Sequence, residues 1–323
     1  MAVSRPAGTL VSPETRRRID AIELLIHADT GRNTTALFAA ARGGLYSAAA
    51  ALAAMPAPRI GVLTGFFVPT ADPSAAETDG PAGAALLLAA LTSAGLQCRL
   101  LTDMPCRAAC TAALAGAGMT TAMLDSVDVD APLDAAIAAW RADAIDWVIS
   151  IERCGRSADG HPRNMRGEDV SAFTAPLDDL FLAGPWDTIA IGDGGNEIGL
   201  GALPRSLITQ HVMNGQAIAC VTPASHLIVA GVSHWGVYAL IAALAVLRAD
   251  WRDALLARLD AALDQRIVEA MVRDGPAVDG VSLRRVPTID TLPLSVHAAK
   301  LHAIRGLATD HTQSETSAGT SGV

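Results

Sequence analysis

The chain has 323 residues, of which 51% are hydrophobic and 18% charged, enough apolar material for one large core or two closely packed lobes. Its formal net charge of −9 argues against a nucleic-acid backbone or an anionic membrane as its main partner. Lys300 is the single lysine, so arginine carries nearly all the positive charge, and arginine binds carboxylates with a planar two-pronged fork.

In chain order, residues 1–18 lack an apolar stretch and do not read as a secretory signal. Amphipathic helices are expected over 13–27 and 34–55. A β/α alternation follows: a strand over 59–68, a helix over 81–94, a strand over 97–102 and a helix over 105–115. Strands at 120–124 and 144–151 flank a helix at 133–141. A strand at 187–192 precedes a helix beyond Gly201, and strands are expected at 217–221 and 226–230. Long helical patterns cover 235–247 and 251–272. One domain over 12–308 is expected, with 309–323 a disordered polar tail.

The segment 226–247 is apolar enough to raise the question of a membrane span. His226, Gly231, Ser233, His234 and Gly236 interrupt it, so a buried strand running into a buried helix fits better. The five cysteines are odd in number and contain no C-x-x-C pair, a pattern that suits a reducing cytosol, hence a cytoplasmic location. Strands alternating with helices imply an α/β fold, a mostly parallel sheet covered on both faces, whose strand order the sequence does not reveal. In such sheets ligands sit at the carboxyl ends of the strands. The polar, glycine-containing segments 64–79, 152–168, 193–201 and 231–235 fall at those ends and are expected to form one rim.

The most informative segment is Gly192-Asp193-Gly194-Gly195-Asn196-Glu197-Ile198-Gly199-Leu200-Gly201. Its glycines allow sharp turns and close approach of backbone amides to a ligand. A strand-to-helix turn capped by acids would use the same residues. It is no dinucleotide fingerprint, because Glu197 stands where the last glycine of G-x-G-x-x-G would be, and its acids would repel a pyrophosphate. NAD is therefore not expected. Nor is ATP, since no Walker A loop occurs, nor pyridoxal phosphate, since Lys300 lies in a helical stretch away from the rim.

Glu77-Thr78-Asp79-Gly80-Pro81 adds two acids ahead of a helix, where plain capping is the simple alternative. Glu152 directly follows a buried strand and opens the loop Arg153-Cys154-Gly155-Arg156-Ser157-Ala158-Asp159-Gly160, which runs on to Asn164-Met165-Arg166. Glu77, Asp79, Glu152, Asp159, Asp193 and Glu197 together would crowd one rim, a cluster that needs a cation, arginines or shared protons. Oxygen ligands of this kind favour Mg²⁺ or Mn²⁺ over zinc.

The motifs ETDGP, IERCGRSADG followed by NMR, DDLF, GDGGNEIGLG and IVAGVSHWGVYAL stand in this order, and with them the chain resembles the D-glutamate cyclase family. The same domain forms the carboxyl-terminal part of a mitochondrial D-glutamate cyclase. The resemblance spans residues 59–247 and implies a lyase that converts D-glutamate to 5-oxo-D-proline and water. His234 replaces the family's asparagine, Val237 a glycine, and Val221-Thr222-Pro223 stands where an acid is usual. A mechanism consistent with these residues uses Glu152, Asp159 and Asp193 for proton chemistry. Asp193 and Glu197, aided by Glu77 and Asp79, would hold a divalent cation. Arg156, Arg166, Asn164, Asn196, Gly194 and Gly195 would bind the substrate, a small amino acid. Self-association into a homo-oligomer stays open. So do two other readings, a metal-dependent hydrolase of a phosphate or amide and a non-catalytic binder of small acids.

Overall fold

The computed structural model describes residues 12–309; the expected tail from 310 onward and the first eleven residues lie outside them. The chain opens with α1 (Pro13–Ile26), α2 (Thr35–Ala41) and α3 (Gly44–Ala53). Then come β1 (Arg59–Thr64), the short hairpin β2 (Phe67–Val68) and β3 (Ala75–Ala76), α4 (Pro81–Ser93), β4 (Gln97–Asp103), α5 (Arg107–Gly116), β5 (Leu124–Val127) and α6 (Asp134–Ala142). The second half runs β6 (Trp147–Ile151), α7 (Leu177–Ala183), β7 (Asp187–Gly192), α8 (Arg205–His211), α9 (Gly215–Ile218), β8 (His226–Val229) and α10 (Ser233–Leu247). It closes with α11 (Ala249–Arg258), α12 (Ala261–Asp274), a hairpin of β9 (Thr288–Ile289) and β10 (Leu292–Pro293), and α13 (Leu294–Thr309).

Six strands form a parallel sheet in the order β5-β4-β1-β6-β7-β8. The chain winds outward in one direction from β1, then returns to β6 and winds outward in the other. The order reverses between β1 and β6, which is where ligands settle in doubly wound sheets. Register brings the strand ends level there, with Thr64 opposite Ile151 and Ile151 opposite Ile191. Thr64 Oγ1 donates to the Ile151 carbonyl at 2.8 Å and ties the two central strands at that rim.

Side chains alternate across the sheet as the pleat requires. Ile60, Val62, Ile149, Ile189 and Ile191 face one core with α1, α3, α4 and α10–α13. Leu63, Leu101, Val148 and Ala190 face the other with α2 and α6–α9. Helix α10 is buried along nearly its whole length, which accounts for the apolar stretch after β8. Among the described residues no single helix is long and apolar enough to cross a membrane, although the bent pair α2–α3 matches by length and composition.

Several expected elements are corrected. The helix expected over 34–55 is two helices, because Gly43 turns left-handed (φ 87°) and the Glu23 carboxylate accepts from the Gly43 and Leu45 amides, capping α3 from its neighbour. The helix over 251–272 likewise breaks at Asp260, whose side chain caps α12 through the Leu263 amide at 2.8 Å. The strand expected at 217–221 is instead the short helix α9 followed by extended residues. Cys220 and Val221 there pair with Ser157 and Arg156 of a loop, so the apolar run serves the second core without joining the sheet. Thr120 caps a 3-10 turn, so the strand expected at 120–124 begins only at Leu124. Gly65 (φ 112°) ends β1 four residues early and turns Phe67–Val68 into the hairpin.

Candidate functional site

Asp79, Glu152 and Asp193, each buried, turn one carboxylate oxygen toward the others within 4.8 Å. Each follows from local structure. Glu152 is the first residue past β6 and adopts φ +43°, an uncommon backbone for a residue with a side chain, held by its amide donating to the Ile191 carbonyl. Strain of this kind concentrates at functional positions. Asp79 precedes α4, and Gly80 beside it (φ 68°) leaves room: a Cβ there would meet Thr64 Oγ1 at 2.8 Å and Glu152 Cβ at 3.0 Å. Asp193 is the first residue past β7.

The three acids differ in their partners. Asp193 Oδ2 accepts from Arg32 Nη1 and from the Ser233 amide, both at 3.0 Å. Glu152 Oε2 accepts from Ser233 Oγ. Asp79 Oδ1 accepts from the Gly80 amide, while its Oδ2 is buried with no partner among the described residues. Glu77 Oε1 and Asp290 Oδ2 are also buried without partners among the described residues. Arg32 bridges the group, since its Nη2 also meets Asp290 Oδ1 at 2.7 Å.

Burial, reinforced by the neighbouring acids, pushes the Glu152 and Glu77 carboxyls well above their usual range. Burial does the same to Asp193 despite Arg32, and it raises Asp290 against the same arginine. Asp79 is raised to about 7, by burial first and then by Asp290. Burial opposes charge on Arg32, but Asp193, Asp290 and Glu152 outweigh it and hold the guanidinium firmly protonated. The cluster therefore carries excess acid that one arginine only partly offsets. Unpartnered buried carboxylate oxygens are costly, and an all-oxygen donor set of this kind suits a hard divalent cation.

Glu77, Glu152, Asp193 and Asp290 line a cavity of about 590 Å³, and Asp79 is not among its lining residues. The cavity wall takes Phe66, residues 68–70 and 164–166, and the Asp193 loop, as expected from the strand ends. Three further segments enter that sequence reasoning missed: 30–33, 280–291 from the carboxyl-terminal part, and 211–213 at the end of α8. The signal for the first was a polar Gly-Arg-Asn break between two apolar helices. The second showed nothing more than an aspartate in a turn. A Cβ at position 280 would lie 2.0 Å from Glu77 Oε2, so any side chain there would displace the Glu77 carboxylate.

The other expected site residues are placed as follows. Glu197 is in the wall, but its carboxylate accepts from the Asp193, Gly194 and Gly195 amides at 3.0, 2.5 and 2.7 Å. It clamps the glycine loop, and the Gly194 and Gly195 amides are thereby spent on it. Asn196 donates to the Arg163 carbonyl at 2.9 Å, and Asn164 accepts from the Arg166 and Glu168 amides at 3.0 Å, so both shape loops at the cavity wall. Arg166 reaches Thr70 Oγ1 at 3.0 Å near the mouth and is exposed.

Asp159 and Arg156 are not brought to the cavity. Asp159 lies on the surface, where the Arg163 hydrogen bond holds its pKa below the usual range. Arg156 pairs with Asp178 and Asp179 beside a separate cleft of about 330 Å³. The chain doubles back after Cys154, which pairs with Glu197, and carries the residues from 156 to 162 away from the rim.

Comparison with known proteins agrees with the motifs. The family model described as D-glutamate cyclase-like, C-terminal, matches residues 22–305. The human protein named D-glutamate cyclase, mitochondrial, is 42% identical over 106 residues. That stretch is 32% of this chain and 17% of the human protein, so the chain matches a small part of that relative's length.

Proposed function

The chain belongs to the D-glutamate cyclase-like family, and from that premise we propose that it closes glutamate of D configuration to 5-oxo-D-proline with loss of water. The observation that carries this reading is the meeting of Asp79, Glu152 and Asp193 at the sheet's switch point, inside the region of family similarity. Ring closure needs the α-ammonium group to lose two protons, its nitrogen to bond to the γ-carboxyl carbon, and one carboxylate oxygen to leave with those protons as water. Glu152, whose carboxyl burial and the neighbouring acids hold well above its usual range, takes the amine protons. Asp79, which does not line the cavity, serves the cation site, and Glu152 passes the protons on to the departing oxygen. Arg166 at the mouth is the arginine open to the α-carboxylate, since Arg32 is held by Asp193 and Asp290.

The unpartnered oxygens of Asp79, Glu77 and Asp290 fit a divalent cation. Asp79 and Asp193 would hold it beside Glu152, and it would supply neutralisation of the clustered charge and polarisation of the γ-carboxyl. Glu197 is a poor ligand in this arrangement because its oxygens already serve three amides. A cytoplasmic location belongs to the same proposal; the human relative carries a mitochondrial name.

The test is incubation of purified protein with D- and L-glutamate, with and without Mn²⁺, and chiral chromatography of the 5-oxoproline formed. The D product should accumulate and should vanish on chelation. No 5-oxoproline from either enantiomer, with or without cation, would overturn the proposal.

A further inference from the structure

We infer that the cavity takes a glutamate whose γ-carboxyl is already bonded to an apolar amine, a γ-glutamyl amide, and closes it to 5-oxoproline with release of that amine. This rests on the cyclisation reading and specifies its substrate class.

Three observations support it. The first is charge. Glu77, Glu152, Asp193, Glu197 and Asp290 line the cavity, against Arg32 and Arg166 among its arginines, and Arg32 is spent on Asp193 and Asp290. Both molecules bring an α-ammonium group that the acids attract, but free glutamate brings two carboxylates to this acidic floor and the amide only one. The second is size. Glutamate has ~10 non-hydrogen atoms, whereas clefts of ~300–1,000 Å³ bury drug-sized ligands, and this one measures about 590 Å³. The third is the mouth. Phe66, Val68, Met213, Val281 and Leu283 line it, and Met213 and Val281 are 77% and 52% exposed. Exposed apolar side chains gathered at a cleft mark a contact surface, here for the amine's apolar group.

The step balances without oxidant or water. The α-nitrogen bonds to the γ-carbonyl carbon and the amide C–N bond breaks. The α-ammonium nitrogen loses two protons: one passes by way of Glu152 to the departing nitrogen, and the other goes to solvent or, for a basic amine, to that amine. Products are 5-oxoproline and the free amine. Expulsion of a protonated amine also avoids removing oxygen from a carboxylate, the harder leaving step of the free acid.

The experiment compares D-glutamate with its γ-(p-nitroanilide) in the full chain, following p-nitroaniline by absorbance and 5-oxoproline by chromatography. The same assays are run on Met213→Ser and Val281→Ser, whose exposed positions keep folding out of question when circular dichroism is unchanged. The anilide's kcat/KM should exceed that of D-glutamate by ~10-fold or more, and the ratio of the two should fall at least ~fivefold in each variant, the value of about one lost apolar contact. Closure of D-glutamate alone overturns this inference and leaves the cyclase reading standing. Closure of neither compound overturns both. Release of p-nitroaniline with free glutamate as co-product, or a ratio unchanged in both variants, also overturns the inference.

Discussion

Two buried acidic regions of this protein touch α10, one through Ser233 and the other through His234 and Tyr238, and behave oppositely. At the rim, Glu77, Asp79, Glu152, Asp193 and Asp290 all have pKa values raised, by burial first, and three of them keep a buried oxygen without a partner among the described residues. Below them, Asp264 of α12 has both oxygens met, Oδ1 by His234 Nε2 at 2.7 Å and Oδ2 by the Tyr238 hydroxyl at 2.5 Å. Burial would raise Asp264 as well, but His234 and these hydrogen bonds hold it below its usual value. Burial alone therefore says little about the role of a carboxylate. What meets its oxygens decides: satisfied acids brace the fold, and unsatisfied ones are open to a ligand.

The largest expected effect separates the regions by activity. Glu152→Gln keeps shape but removes the proton acceptor, so turnover should drop ~1,000-fold, within the range usual for a general acid or base. Thermal stability should hold level or rise, because a carboxyl in a crowd of acids is lost. Turnover within a few-fold of the parent would remove Glu152 from the chemistry.

Asp264→Asn should do the reverse, lowering the unfolding free energy by ~3 kcal/mol, as expected when one member of a buried pair is removed, with little change in turnover. The sign with pH follows from the pair. Asp264 is depressed, so its contribution is present above the unfolded carboxyl value and fades as pH falls through the folded one. His234, opposed by burial but raised by Asp264, contributes fully below its unfolded value and loses this as pH rises through the folded one. Urea titrations of parent and variant should therefore differ most between about pH 4 and 6.5, and a difference flat across pH would break the comparison.

Glu197 sharpens it within a single loop. Read as a backbone clamp, Glu197→Gln weakens charge-assisted bonds from three amides and should cost about 2 kcal/mol, with the midpoint of unfolding shifted in the absence of any cation. An unchanged midpoint, with cation affinity lost by calorimetry, would return Glu197 to the ligand set.

The helices and strands of the β/α alternation were legible because buried strands and helices write themselves as apolar runs between glycine-containing turns. Strand 187–192 and the helix starting at Pro81 are read from such signals alone. Boundaries failed where a distant side chain intervened, as at α3, whose capping acid Glu23 lies 22 residues from Leu45. The site was legible to the same extent. Glu77, Asp79, Glu152 and Asp193 sit at strand ends and helix starts, positions that the local pattern marks. Arg32 and Asp290 were not legible, since Arg32 meets Asp193 across 161 residues and no local pattern records such a meeting.

By itself, then, the sequence determined the layered α/β class, the family and the loops that crowd the rim, because periodicity, glycine placement and motif order are local properties. Tertiary structure alone decided the strand order with its switch point, the entry of Arg32 and Asp290, and the parting of roles among the acids. Asp159 turned outward to Arg163 and Glu197 onto three backbone amides, while Asp79, Glu152 and Asp193 turned toward one another. The physical reason is that a carboxylate's chemistry is set by the charges and donors within a few ångströms, and those come from residues far away along the chain.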